Sequence, residues 1–203
     1  MSLWIIKAGL QNMIGRLPKS YRLNMLFQKY VTRGYFPSRE TFEGKLKCCR
    51  KHFDHYMKFS QTSQPGFNAL ELGTGSWPIV PLGLYLCGAS AVWTYDLVPL
   101  VCKDTLKRTL ELFIEFKQEG SLKRLLPKIQ EEPFLRLEKL LGQVEKETPA
   151  QLLSKLNVHA RIGDARKNAL DDLNQIKLAP KFHQYSQEDL LVLYSWMVAK
   201  PSI

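Results

Sequence analysis

Two acidic residues and two glycines at close spacing carry the side-chain chemistry best suited to binding a ligand. Glu71, Gly73 and Gly75 follow one another within a single turn, and Asp96 ends the next apolar run along the chain. Because glycine has no Cβ, its backbone turns tightly and approaches a bound molecule closely. A carboxylate at the end of a strand can accept hydrogen bonds from the hydroxyls of a ribose. The pattern predicts a site for a nucleoside-like ligand.

The elements that would position these residues are two strands and a crossover helix. Residues 69–72 form a short apolar run bounded by turn formers, which favours a buried strand of a parallel sheet. A second apolar run covers residues 89–96, and residues 79–86 are predicted to form the connecting helix, with Pro78 in its first turn. The glycine turn and Asp96 would then meet at the carboxyl ends of the strands, where open α/β sheets bind ligands.

Two common phosphate-binding motifs do not fit the glycine turn. The dinucleotide fingerprint GxGxxG needs a third glycine where this chain has Pro78, and the GxxxxGK[ST] loop needs a lysine that is absent. The remaining pattern is an acid, two alternating glycines and a second acid after the next strand. Taken alone, each residue of this pattern also has a purely structural explanation. Asp96, for example, would suit a helix N-cap.

A third motif extends the pattern and completes a resemblance. Residues 158–166 contain the sequence Gly163-Asp164-Ala165 after Val158-His159-Ala160-Arg161-Ile162. In this order the three motifs resemble the S-adenosylmethionine-binding motifs of class I methyltransferases, in which the third motif is a strand followed by this turn, and the resemblance covers roughly residues 67–166. It implies a Rossmann-like parallel sheet and S-adenosylmethionine as cofactor.

The resemblance also implies a role for each matching residue. Glu71 would orient the glycine loop near the methionine amino group, while Gly73 and Gly75 let the backbone pass under methionine and ribose. Asp96 would hold the ribose hydroxyls. Metal ligands are not expected.

The adenine end of the ligand would be met by the third motif. Asp164 would accept from the exocyclic amine, and Ala165 would offer its backbone N–H to the ring. Trp77 stands where the family usually has a third glycine, and its indole face could cover the ligand. The predicted cofactor-binding set is Glu71, Gly73, Thr74, Gly75, Trp77, Asp96, Leu97, Gly163, Asp164 and Ala165.

The chain after the third motif is short for this family. The class I methyltransferase fold contains a seven-stranded sheet. The residues beyond Arg166 cannot supply four more strands with their helices. Residues 190–196 read either as a fourth strand or as a helix capped at Ser186. The predicted fold is therefore an α/β, Rossmann-like parallel sheet that is incomplete relative to the family pattern, and no catalytic residue is assigned.

Helical segments flank and interrupt the predicted sheet. Residues 1–64 are predicted to be a helical extension, broken at Pro18 and near residues 34–38, and residues 62–66 read as a linker to a cofactor-binding domain at 65–203. A helical insertion is expected at about 97–157, interrupted by Pro127 and Pro133. Insertions of this length often form a lid or a substrate wall.

Composition sets the outer limits. The chain has 203 residues, 45% of them hydrophobic, which is enough for one globular domain with its own core. No apolar run is long enough to span a membrane, and the first residues lack a secretory signal, so a cytoplasmic location is expected. The cysteines at 48, 49, 87 and 102 show no CxxC pairing, which favours free thiols. His52 and His55 lack further ligands at metal-binding spacing.

The formal net charge of +10 predicts a positive surface. Basic residues near the N-terminus alternate with aromatic ones, a composition that suits single-stranded nucleic acid. An amphipathic helical layer with buried aromatics and solvated lysines explains the same letters, and the spacing of Phe27, Tyr30 and Val31 favours it.

Three functions remain open from the sequence. The first is an S-adenosylmethionine-dependent methyltransferase, or its cofactor-binding portion, with an unidentified methyl acceptor. The second is a truncated, non-catalytic relative that acts through protein contacts, with a partner or a second copy covering an open sheet edge. The third is a basic nucleic-acid-binding module.

Overall fold

The structure is a computed structural model that describes residues 35–59 and 66–164 of the chain. Contacts divide the chain into two compact units, Met1–Ser38 and Arg39–Ile203. All described helices and strands belong to the second unit. They are α1 (Arg39–Phe59), β1 (Phe67–Leu72), α2 (Ile79–Leu86), β2 (Ala89–Asp96), α3 (Lys103–Gln118), α4 (Ser121–Leu125), α5 (Glu131–Leu141), α6 (Pro149–Ser154) and β3 (Val158–Ile162).

The described strands form one parallel sheet in the order β1-β2-β3. The register pairs Leu72 with Tyr95 and Asp96 with Ile162, so the strands end at the same edge. The α/β class and the parallel sheet, predicted from two apolar runs and the third motif of the resemblance, are confirmed. The central position of β2 places its carboxyl end between the turns that follow the other two strands.

Helix α2 is the crossover between β1 and β2, with the bounds that the sequence predicted. All eight of its residues are buried, as expected for a helix that packs between a sheet and other helices. Pro78 lies at the N-cap, one position before the expected first turn.

Helix α1 packs into the same core as the sheet. The side chains of Phe42, Leu46, Cys49 and Phe53 are buried and recur at the three- and four-residue spacing of one helix face. Their packing makes α1 part of the compact unit that begins at Arg39.

The predicted helical insertion between β2 and β3 is confirmed as the four helices α3 to α6. Helix α4 ends at Leu125, shortly before Pro127, as a proline requires. The predicted break at Pro133 is wrong, because this residue lies in the first turn of α5. Backbone N–H groups in the first turn have no partner within the helix, so a proline there removes no hydrogen bond.

Several predictions concern residues outside the described ranges. These are the break at Pro18, nearly all of the linker at 62–66, and the strand or helix at 190–196. Among the described residues, no helix has the length and apolar character needed to cross a membrane.

Candidate functional site

Three loops meet at the carboxyl edge of the sheet. The backbone N–H of Gly73, after β1, donates to the carbonyl oxygen of Tyr95 at 2.8 Å, and the N–H of Gly163, after β3, donates to that of Asp96 at 2.9 Å. These bonds attach the first and third sequence motifs to the end of β2. The structure therefore brings the three motifs together at one edge.

The glycine turn has the backbone conformation that its sequence predicts. Gly73 has φ 79° and Gly75 has φ 73°, which lie in the left-handed region that side chains other than glycine rarely adopt. Among the residues that the structure describes, a Cβ built on either glycine would meet no atom within 4 Å. Backbone conformation, and not crowding by these residues, accounts for the two glycines.

Asp96 holds the glycine turn through its carboxylate. The N–H of Gly75 donates to both oxygens, at 3.2 Å to Oδ1 and 3.3 Å to Oδ2. Burial raises the pKa of this half-buried carboxyl, while the Gly75 N–H and the positive charge of Lys45 act in the opposite direction. A carboxylate has about four acceptor positions, and one shared N–H leaves it able to accept further hydrogen bonds.

Glu71 is a buried acid inside the same turn. Its side chain is 9% exposed, and its Oε2 accepts a hydrogen bond of 2.6 Å from the Thr74 hydroxyl. Burial raises the pKa of Glu71, whereas the Thr74 bond and the charge of Lys45 lower it. The contact ties the end of β1 to the turn, which fits the predicted role of Glu71 in orienting the loop.

A mainly apolar pocket opens next to the Asp96 carboxylate. Its walls include Pro99, Leu100 and Val101 from the loop after β2, with Ala160 and Ile162 from β3. The polar part of the lining comes from Thr74, Thr94, Asp96 and Arg161, and α6 adds further apolar wall through Pro149, Ala150 and Leu153. Apolar walls with a few polar groups are the usual lining of a small-molecule site.

Two large apolar side chains are exposed at this edge. Leu97, directly after Asp96, is 74% exposed, and Ile162, paired with Asp96 across the sheet, is 52% exposed. Leu97 belongs to the predicted binding set, and its exposure next to an acid provides an apolar surface for a flat ring.

The remaining predicted residues are placed as follows. Trp77 is half-buried and packs against the hydrophobic core, so its role as a cover for the ligand stays a prediction. Asp164 is half-buried and follows Gly163 beside the end of β2. Ala165 lies outside the described residues.

One charged residue near the site was missed by sequence reasoning. Lys45 on α1 is half-buried, and its ammonium acts electrostatically on both Glu71 and Asp96. It belongs to a helix outside the cofactor motifs and stands among many lysines and arginines. Only the packing of α1 against the sheet distinguishes it from the others.

The cysteines and histidines of α1 form no metal site within the described part of the chain. Cys48 Sγ lies 3.4 Å from Nε2 of His52. Burial raises the pKa of the Cys48 thiol. The pKa of His52 is lowered, mainly by burial and to a smaller extent by the nearby His55. These directions favour a neutral pair over a thiolate and an imidazolium. Cys48, Cys49, Cys87 and Cys102 form no disulfide.

The described residues define an α/β protein with a candidate ligand pocket at the carboxyl edge of a parallel sheet. Comparisons of the chain with protein-family models, with curated proteins and with solved structures gave no match.

Proposed function

We propose that this chain is an S-adenosylmethionine-dependent methyltransferase of the class I type, or the cofactor-binding portion of one, acting on an acceptor that is not identified. The hydrogen bonds from Gly75 to Asp96 carry the proposal. They join the glycine turn and the acid of the next strand into one unit, as a ribose site beneath a glycine loop requires.

The residues at the sheet edge fit the parts of this cofactor. Asp96 retains acceptor capacity for the two ribose hydroxyls, and the pocket beside it offers apolar walls to the adenine ring. The open side of Gly73 and Gly75 leaves room for the chain that links ribose to methionine. When bound, the cofactor supplies a methyl group on a sulfonium. Asp96 and the turn would fix its position, and alignment with the acceptor can itself provide much of the rate enhancement.

The direct test is calorimetric titration of the purified chain with S-adenosylmethionine and S-adenosylhomocysteine. We expect saturable binding, with Asp96→Ala losing at least tenfold in affinity because hydrogen bonds to a charged group contribute about 1.5–3 kcal/mol. Asp54→Asn is the matched control, since it removes an exposed carboxylate that pairs with Arg50 away from the sheet edge. Thermal unfolding of each variant shows whether the fold persists.

A folded chain that binds neither ligand would contradict the proposal. The non-catalytic alternative would then take its place, supported by the sheet itself. Among the described strands, β1 is paired on one side only, by β2. A parallel strand with a free edge is a site where another segment can add.

A further inference from the structure

The direction of α1 places one end of this helix beside the glycine turn. The ring of Tyr56 lies 4.6 Å from the ring of Phe67, which begins β1. Nearer the start of α1, Sγ of Cys49 lies 3.7 Å from the carbonyl oxygen of Val80, in the first turn of α2. Since α2 follows the glycine turn, α1 runs antiparallel to β1, with its first half towards the carboxyl edge of the sheet.

The position of Lys45 along the helix follows from this direction. A helix rises about 1.5 Å per residue and a strand about 3.3 Å. The path along α1 from Tyr56 back to Lys45 and the path along β1 from Phe67 to Leu72 are therefore both roughly 16 Å. Lys45 lies level with the end of β1, where the glycine turn begins.

Electrostatics agree with this placement. Burial raises the pKa of both Glu71 and Asp96, and the positive charge of Lys45 opposes that effect on both. The same charge acts on the Cys48 thiol, one helical turn further along α1. Within the described residues Lys45 makes no direct ion pair, whereas Lys47 on the same helix pairs with Glu43 at 3.0 Å. The ammonium of Lys45 is thus close to two acids without being neutralised by either.

The edge of the sheet therefore carries both signs of charge around an open turn. At the glycine turn itself, Glu71 and Asp96 favour a cationic group on the ligand, and the Lys45 ammonium favours an anionic group. Arg161 and Asp164 add a further charge of each sign at the ends of β2 and β3. An amino-acid moiety has both groups on a single carbon atom. We infer that Lys45 binds the carboxylate of an amino-acid moiety on the ligand and so selects nucleosides that carry one; this inference rests on the proposed function.

Paired ligands provide the test. S-Adenosylhomocysteine has the amino-acid moiety, whereas 5′-methylthioadenosine keeps the adenine, ribose and thioether and lacks it. Calorimetric affinities are compared for the natural chain, Lys45→Met and Lys47→Met. We expect Lys45→Met to weaken S-adenosylhomocysteine about tenfold or more while leaving 5′-methylthioadenosine unchanged, because only the first ligand has a carboxylate. Lys47→Met, an equal change on the same helix, should affect neither ligand.

The possible results separate this inference from the proposed function. Binding of S-adenosylhomocysteine with the same affinity by the natural chain and by Lys45→Met would overturn the role of Lys45 and leave the cofactor proposal standing. Equal loss of both ligands in a folded Lys45→Met chain would also overturn it, since the lysine would then support the turn and not the carboxylate. No binding of either ligand by the natural chain would overturn both proposals. Partial recovery of S-adenosylhomocysteine binding in Lys45→Arg would support the role of the charge.

Discussion

Around α1, α2 and α3, most buried side chains are apolar, and Leu46, Leu106 and Phe113 are each 0% exposed. The buried hydroxyl of Thr109 on α3 is satisfied locally, because it donates to the carbonyl oxygen of Thr105 at 2.8 Å. At the carboxyl edge of the sheet the distribution is reversed, because the acid Glu71 is 9% exposed and Leu97 is 74% exposed. Both regions belong to one compact unit and share the strands β1 and β2. They differ in whether the burial pattern of their side chains stabilises the fold.

The first region has the properties of a core that stabilises the fold. The rings of Phe42 and Phe113 meet edge to face at 4.9 Å, a favourable aromatic geometry. The second region has a burial pattern that lowers stability, since a buried carboxyl loses hydration and an exposed leucine retains its contact with water. Such a pattern is expected where residues serve a ligand, and this is why we place the site at the sheet edge.

The largest expected effect tests this contrast with two leucines. Leu106→Ala should lower the free energy of unfolding by about 2–5 kcal/mol, because it removes a fully buried side chain and leaves a cavity. Leu97→Ala should change it by less than about 0.5 kcal/mol, the usual range for surface substitutions. Urea unfolding of both variants measures the difference. Similar losses from the two substitutions would show that the edge is packed as tightly as the core.

A second prediction concerns the contact between α1 and α2. A Cβ at Gly83 would lie 2.7 Å from Sγ of Cys49 and 3.5 Å from Cδ1 of Leu126. Gly83→Ala should therefore lower the free energy of unfolding by about 1–3 kcal/mol through overpacking, despite the better helix propensity of alanine.

The double variant Gly83→Ala with Cys49→Ala is the control for this clash. Removing Sγ makes room for the new methyl group, so the double variant should be more stable than the sum of the single changes predicts. Additive losses would mean that Gly83 is needed for a reason other than the nearby thiol.

The same two regions differ in how far their sequence predicts them. Helix α2 covers Ile79–Leu86, in agreement with the crossover predicted at about these residues, because an apolar run lies there between a glycine turn and a strand. Local chemistry also predicts the turn, since Gly73 and Gly75 adopt positive φ. Pro133 shows the limit of such rules. Proline disrupts the interior of a helix but is tolerated in the first turn. The sequence alone does not fix the residue at which the helix begins, so it does not say which case applies.

Long-range packing accounts for what the sequence did not predict. The position of Lys45 near the sheet edge depends on the antiparallel packing of α1 along β1. The Tyr56–Phe67 and Cys49–Val80 contacts together establish this direction, and no local pattern encodes it. Trp77 is half-buried and packs against the core, a contact that its position after the glycine turn did not predict. In both cases a tertiary contact decides the environment of the side chain, and periodicity identifies only the element to which it belongs.

The smallest expected effect concerns the cost of burying Glu71. Its pKa in the folded chain is raised above the ordinary value of 4.5, chiefly by burial. The folded state therefore holds this proton more tightly than the unfolded state. The stability that the protonated acid provides is complete below pH 4.5 and is lost as the pH rises through the raised value.

Glu71→Gln should therefore stabilise the chain at neutral pH while weakening the site. The amide is uncharged at every pH and retains an oxygen that can accept from the Thr74 hydroxyl. Relative to the natural chain, we expect a gain of about 1 kcal/mol at pH 7, or roughly 2–4 °C in melting temperature, that shrinks as the pH falls towards the unfolded value. Melting curves between pH 5 and 8 measure the gain, with the exposed Glu138→Gln as control. A gain that does not change with pH would show that it does not come from removing a buried charge. A loss of stability at pH 7 would show that the ionised carboxylate supports the turn, and the contrast between a stabilising core and a costly sheet edge would then be wrong at this residue.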